Sequence, residues 1–122
     1  MELQRLDKYK TEYKDFRSSI DSFEAYLSRA IAGTFGTNFV IVPFDVSTNL
    51  HIPELDAIFL LSLAEKEHIV KRSYKVFTDD NTFLDEYDNP KSIPEKIENP
   101  ETGKMVDRKH FYVDLVFDFA NG

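Results

Sequence analysis

Cysteine is absent from the 122-residue chain, which removes disulfides, thiolate zinc sites, iron–sulfur clusters and cysteine nucleophiles together. Tryptophan is absent too. No apolar run is long enough for a membrane span, and the opening Met1-Glu2-Leu3-Gln4-Arg5 enters a charged segment that lacks the apolar stretch of a signal peptide. These absences lead us to expect a cytoplasmic protein in a reducing compartment, with no membrane contact. Positive charge is also scarce. With 15 Lys and Arg against 22 Asp and Glu, the formal net charge is −7 at pH 7, a field that opposes phosphate backbones. The expected partner is therefore a larger protein or a second copy of the chain, and nucleic acid is disfavoured.

What is abundant is apolar volume. Hydrophobic residues make up 42% of the sequence, with 11 Phe and 6 Tyr, enough to fill a core and to exclude general disorder. The length suits one domain, and we expect a single one over residues 1–122, with residues 1–18 as an N-terminal helical extension.

Leu6, Tyr9, Tyr13, Phe16, Ile20, Phe23, Leu27 and Ile31 recur every three or four positions, which predicts helix over the first thirty residues with one apolar stripe. A break is expected at Ser18-Ser19, where Asp21 and Glu24 have the spacing of a capping box, and termination at Gly33 and Gly36. Phe39-Val40-Ile41-Val42 reads as a buried strand closed by Pro43, followed by a polar connection. Pro53 to His68 reads as the central apolar helix, built on Leu55, Ala57, Ile58, Leu61, Leu63 and Ala64. Ile69 to Phe77, turning at Thr78-Asp79-Asp80-Asn81 and returning at Thr82-Phe83-Leu84, predicts a hairpin. Ser92-Ile93-Pro94-Glu95 predicts a helical turn and Asn99-Pro100-Glu101-Thr102-Gly103 a tight reversal. In the last strand, Phe111, Val113, Leu115, Phe117 and Phe119 alternate with Tyr112, Asp114, Val116 and Asp118, so the odd positions are expected to face the core.

Candidate chemistry is thin. His51, His68 and His110 lack the spacing that sets two ligands on one helix face, and are expected at the surface. Asp79, Asp80, Asn81, Asp85, Glu86 and Asp88 crowd oxygen atoms into one stretch, but without the mid-loop glycine and terminal glutamate of a calcium loop. No serine lies in a Gly-x-Ser-x-Gly context, and Gly33-Thr34-Phe35-Gly36 follows a helix instead of joining strand to helix, the wrong setting for a phosphate cradle. No enzyme, metal or cofactor is expected. The one basic concentration of note is Lys71, Arg72 and Lys75, the candidate partner-binding residues; Lys104, Arg108 and Lys109 form a looser cluster broken by Asp107.

The order of helix pair, short strand, apolar helix and hairpin is similar to that of winged-helix domains. Ile52-Pro53-Glu54-Leu55-Asp56-Ala57-Ile58 through Glu67-His68-Ile69-Val70-Lys71-Arg72-Ser73-Tyr74-Lys75-Val76 looks like a core helix running into a first wing strand. Ser92-Ile93-Pro94-Glu95-Lys96-Ile97 followed by Pro100-Glu101-Thr102-Gly103 resembles the tail of small winged-helix-like accessory modules of bacterial or phage conflict (anti-phage defence) systems. The resemblance runs over roughly residues 19–119. It implies an α+β, winged-helix-like fold with N-terminal helices, a central apolar helix and a small antiparallel sheet, acting as a non-enzymatic adaptor. The alternative it leaves is a transcriptional regulator that binds DNA through the basic wing. Against that, the centre of the would-be recognition helix, Ala57-Ile58-Phe59-Leu60-Leu61, offers almost no polar side chains to read bases. A third reading is a hydrolytic or nucleotide-handling domain whose site forms only on assembly.

Overall fold

The apolar stripe of the N-terminal third does form helix, in pieces. In the computed structural model, which describes residues 2–36 and 39–120, a 3-10 turn over Leu3–Leu6 leads into α1 (Lys8–Glu12), a second 3-10 turn over Lys14–Phe16, and α2 (Arg17–Ile31). The break expected at Ser18-Ser19 falls instead at Tyr13, which leaves helical geometry at φ −120, ψ 73 and sets its ring edge-on to Phe59 at 5.1 Å. The capping box is not made, because Asp21 and Glu24 both lie inside α2 and reach Lys10 Nζ, at 2.6 and 2.7 Å, beside Asp7 at 2.8 Å. One ammonium thus clamps α1 to α2.

Gly33, at φ 80, ends α2 as its position predicts. The strand expected at Phe39 to Val42 contracts to a single residue, Ile41, which exchanges two 2.8 Å hydrogen bonds with Phe117. Pro43 then starts a helix and does not merely close a strand: α3 (Pro43–Leu50) replaces the polar connection. Val42 is extended there, as a residue before proline must be, and Pro43 occupies the first turn, where its missing N–H leaves no bond unmade. α4 (Glu54–Lys66) follows and buries Ala57, Leu60, Leu61, Leu63 and Ala64. Fully burying a leucine stabilises by about 2–3 kcal/mol, so this helix anchors the helical core. Leu55, expected in that core, is 79% exposed, because it sits in the first turn on the outer side.

The rest is strand: β1 (Val70–Thr78), β2 (Phe83–Tyr87), β3 (Lys96–Glu98), β4 (Met105–Asp107) and β5 (Phe111–Phe119). β1 and β2 form the expected antiparallel hairpin, with Tyr74 opposite Tyr87, Lys75 opposite Glu86 and an irregularity between Val76 and Phe77. The three-stranded sheet has the order β2-β1-β5. The Asn99 to Gly103 reversal joins β3 to β4 in a second antiparallel hairpin, and the helical turn lies at Pro90–Ser92, just before its expected place, where the Asn89 side chain accepts from the Lys91 N–H. In β5 the odd positions do not all turn inward: Val113 is exposed and Val116 is buried. The class is α+β, with helices and a small antiparallel sheet. No helix among the described residues is long and apolar enough to cross a membrane.

Contacts gather into two compact units, Met1–Lys71 with Phe117–Gly122, and Arg72–Val116. In the first, Leu6 and Tyr9 pack with Ile20, Phe23, Leu60 and Leu63 around a void that admits no water, so the N-terminal segment is part of that unit's core. The Tyr9 hydroxyl donates to Glu67 Oε2 at 2.5 Å, and Lys8 Nζ lies 2.9 Å from the same carboxylate. These donors hold the Glu67 carboxyl below its ordinary range, whereas burial, reinforced by the bond to Glu67, pushes the Tyr9 phenol up to about 12. The second unit has its own core of Val76, Leu84, Ile93, Ile97 and Phe111, flanked by Tyr74, Tyr87 and Val106.

Candidate functional site

A pleated strand sends successive side chains to opposite faces, and this decides where the basic residues of β1 go. Lys71 and Lys75 share a face with Ser73, whereas Arg72 points the other way with Tyr74. The three are therefore not gathered into one patch. Lys75 also stands across the ladder from Glu86, whose carboxylate accepts from the Ser73 hydroxyl at 2.7 Å. The local positive field is thereby reduced. In the looser cluster, Arg108 and Lys109 line a shallow groove of about 440 Å³ with Glu95, Lys96 and Asp107. Arg108 is held there by Glu95 at 3.3 Å and by the Ile93 carbonyl, to which it donates at 2.9 Å.

The acidic stretch is engaged in local bonds. Asp80 accepts from the Thr78 hydroxyl and from that of Thr82 at 3.1 Å, which holds its carboxyl below the usual range. Asp85 accepts from the Glu86 N–H at 2.8 Å and from the Tyr87 hydroxyl at 3.1 Å. Among the described residues no three His, Asp or Glu side chains converge in a way that could hold a metal ion. Two of the histidines serve the backbone: His51 and His68 end α3 and α4 at φ 56 and φ 59. His110 Nδ1 lies 3.7 Å from Asp79 Oδ2.

The most distinctive surface is aromatic. On the face that carries Lys75, the ring of Phe77 on β1 meets Phe83 of β2 at 5.8 Å, steeply inclined, and stacks on Tyr112 of β5 at 5.5 Å. Three strands thus contribute one ring each. Phe83 stays 46% and Tyr112 38% exposed. The array is fixed at its edge, because the Tyr112 hydroxyl donates to Asn81 Oδ1 at 2.5 Å and Asn81 holds the hairpin turn at φ 69, a left-handed conformation that asparagine tolerates better than most residues. Sequence reasoning read Phe83 only as hairpin and Tyr112 only as the outward partner of Phe111. Its available signal was that the outward positions of these strands carry rings where solvated positions usually carry polar groups.

Compared with known proteins, the chain matches no family model, no curated protein and no solved structure.

Proposed function

We propose that the chain is a non-enzymatic protein–protein interaction module, an adaptor, that docks a larger protein through the aromatic face of its β2-β1-β5 sheet. The observation that carries this reading is the exposure of Phe83 and Tyr112 in a preassembled array with Phe77. Large rings already held in place lose little freedom on binding and bury much apolar area, which is why such side chains dominate binding energy at protein interfaces. The winged-helix likeness belongs to the same proposal: α2, the Ile41 bridge, α3, α4, β1 and β2 succeed one another in that order. The setting it suggests is a bacterial or phage multi-protein defence system. Burial of Ala57, Leu60 and Leu61 in α4 favours an adaptor over a DNA reader, since these side chains are unable to reach base edges.

The test is recovery of the partner from native cells with tagged wild type and with a Phe83→Ser, Tyr112→Ser double variant of unchanged melting temperature. The reading expects one stoichiometric partner with wild type and its loss in the double variant. Retention of the partner by that variant, with loss on changing Lys71, Arg72 and Lys75 to Glu, would move the docking site to the β1 cations. Salt-sensitive submicromolar binding of duplex DNA by the wild type would instead establish the DNA-binding alternative.

A further inference from the structure

The adaptor reading leaves the chemistry of the partner open, and the surroundings of the rings define it. Resting on that reading, we propose that the aromatic face receives an arginine-bearing segment of a protein partner. The turn beside Phe77 supplies Asp79 and Asp80, both exposed, and Asp114 lies two residues beyond Tyr112 on the same side of β5 and is exposed. A π face is the negative part of a ring and attracts a cation placed over it. Here Phe83 and Tyr112 stay partly exposed, and the turn and strand next to them carry Asp79, Asp80 and Asp114, with Asp80 bonded to Thr78 and Thr82 and His110 3.7 Å from Asp79. Lys71 and Lys75 share the Phe77 face of β1, and Lys75, the nearer to Phe77 along the strand, is opposed by Glu86.

Two features select arginine. Its planar guanidinium stacks on a ring and forks onto a carboxylate at once, whereas a lysine ammonium is a compact, strongly hydrated point charge. The spread of the rings over three strands also suits an extended segment that lays successive residues along the face. A single-stranded nucleic acid could stack bases on the same rings, but such sites pair their aromatics with a positively charged groove for the backbone. The flanks here are acidic, and the whole chain carries −7. Charge complementarity therefore singles out the cationic peptide.

The experiment titrates the isotopically labelled full chain with a short peptide of alternating glycine and arginine, with its lysine and glutamate counterparts, and with a single-stranded oligonucleotide. The expected result is saturable binding of the arginine peptide, with amide shifts confined to the β1–β2 turn and β5. The lysine peptide should bind several-fold more weakly, and the glutamate peptide and oligonucleotide not at all. Phe83→Ala and Tyr112→Ala should each weaken binding by about threefold to tenfold, the order expected for one cation–π contact, and Tyr112→Phe should retain it. These changes leave net charge untouched. Equal binding by the alanine variants would show diffuse attraction to an acidic chain and overturn the proposal, as would shifts mapping to the Lys10 region or preference for the oligonucleotide. If the arginine peptide fails but the Phe83, Tyr112 variant still loses its native partner, the partner's chemistry is wrong and the adaptor reading stands. If that variant keeps the partner as well, both fall.

Discussion

Tyr26 is 1% exposed, yet its hydroxyl finds no hydrogen-bond partner among the described residues. Its ring is well used, 5.3 Å from Phe35 in a tilted pair, so the burial is justified by the ring and opposed by the oxygen. An unpartnered buried polar group carries its full desolvation penalty. Tyr26→Phe keeps the ring and removes the penalty, and is expected to stabilise the protein by up to about 1 kcal/mol, or a few degrees in melting temperature for a chain of this size. A thermal melt that fell by a similar amount would show that the hydroxyl has a partner. Single residues were unevenly legible in the sequence. Leu61 and Phe117 follow from periodicity and are buried, since their neighbours at helical or strand spacing are apolar too. Leu55, Val113 and Val116 do not, because periodicity marks a stripe and leaves unsaid where along the element the packing partner ends.

Helices α2, α3 and α4 close in the same way, each with a left-handed residue and a hydrogen bond reaching back five residues: Thr34 to Arg29, Ile52 to Ser47 and Ile69 to Ala64. These bonds satisfy carbonyls that the helix leaves open. Gly33 adopts this conformation without penalty, but His51 and His68 do so with a Cβ, which in left-handed geometry costs about 1–2 kcal/mol. Glycine at either position gives back part of that in backbone entropy, about 0.5–1 kcal/mol. His51→Gly and His68→Gly are thus each expected to raise stability by roughly 0.5–1 kcal/mol, measurable as a higher denaturant midpoint at unchanged slope; a lower midpoint would mean that the imidazoles do more than end helices. The same elements show what the sequence hid. α3 carries Asp45, Ser47, Thr48 and Asn49, a polar run of weak helix formers, and its helix comes from packing between α2 and α4. β3 and β4 are three residues each, too short for alternation to register. The aromatic site escaped for a related reason. Phe77 and Phe83 are joined by a legible hairpin, but Tyr112 arrives from the far end of the chain, and strand order is not written in a local pattern.

At the scale of the whole molecule, stability against pH follows from groups whose protonation differs between folded and unfolded chains. On the acid side, Asp7, Glu67 and Asp80 are held below their ordinary values, Asp7 by Lys10, Glu67 by Tyr9 and Lys8, and Asp80 by Thr78 and Thr82. A depressed folded value means that their contribution is complete above the ordinary carboxylate range and fades as pH falls through it. Glu24 works in the opposite sense, since burial raises it, and it softens the acid loss. On the alkaline side two phenols act together. Tyr9 and Tyr26 both rise from 10.0 to about 12, mainly through burial, with the Glu67 carboxylate reinforcing Tyr9 and Asp45 reinforcing Tyr26. A raised folded value keeps their contribution complete below pH 10.0 and removes it progressively up to about pH 12. The chain already carries −7 at pH 7, so each phenolate formed also adds to self-repulsion. Denaturant midpoints measured from pH 8 to 12 should therefore fall steeply across the upper half of that range in wild type. They should fall less in Tyr26→Phe, and least in the Tyr9→Phe, Tyr26→Phe double variant, although Tyr9→Phe alone starts lower at neutral pH because Glu67 loses a donor. A double variant whose profile ran parallel to wild type would place the alkaline transition in the lysines and the exposed tyrosines, and the two buried phenols would then have no part in setting the limit of the fold.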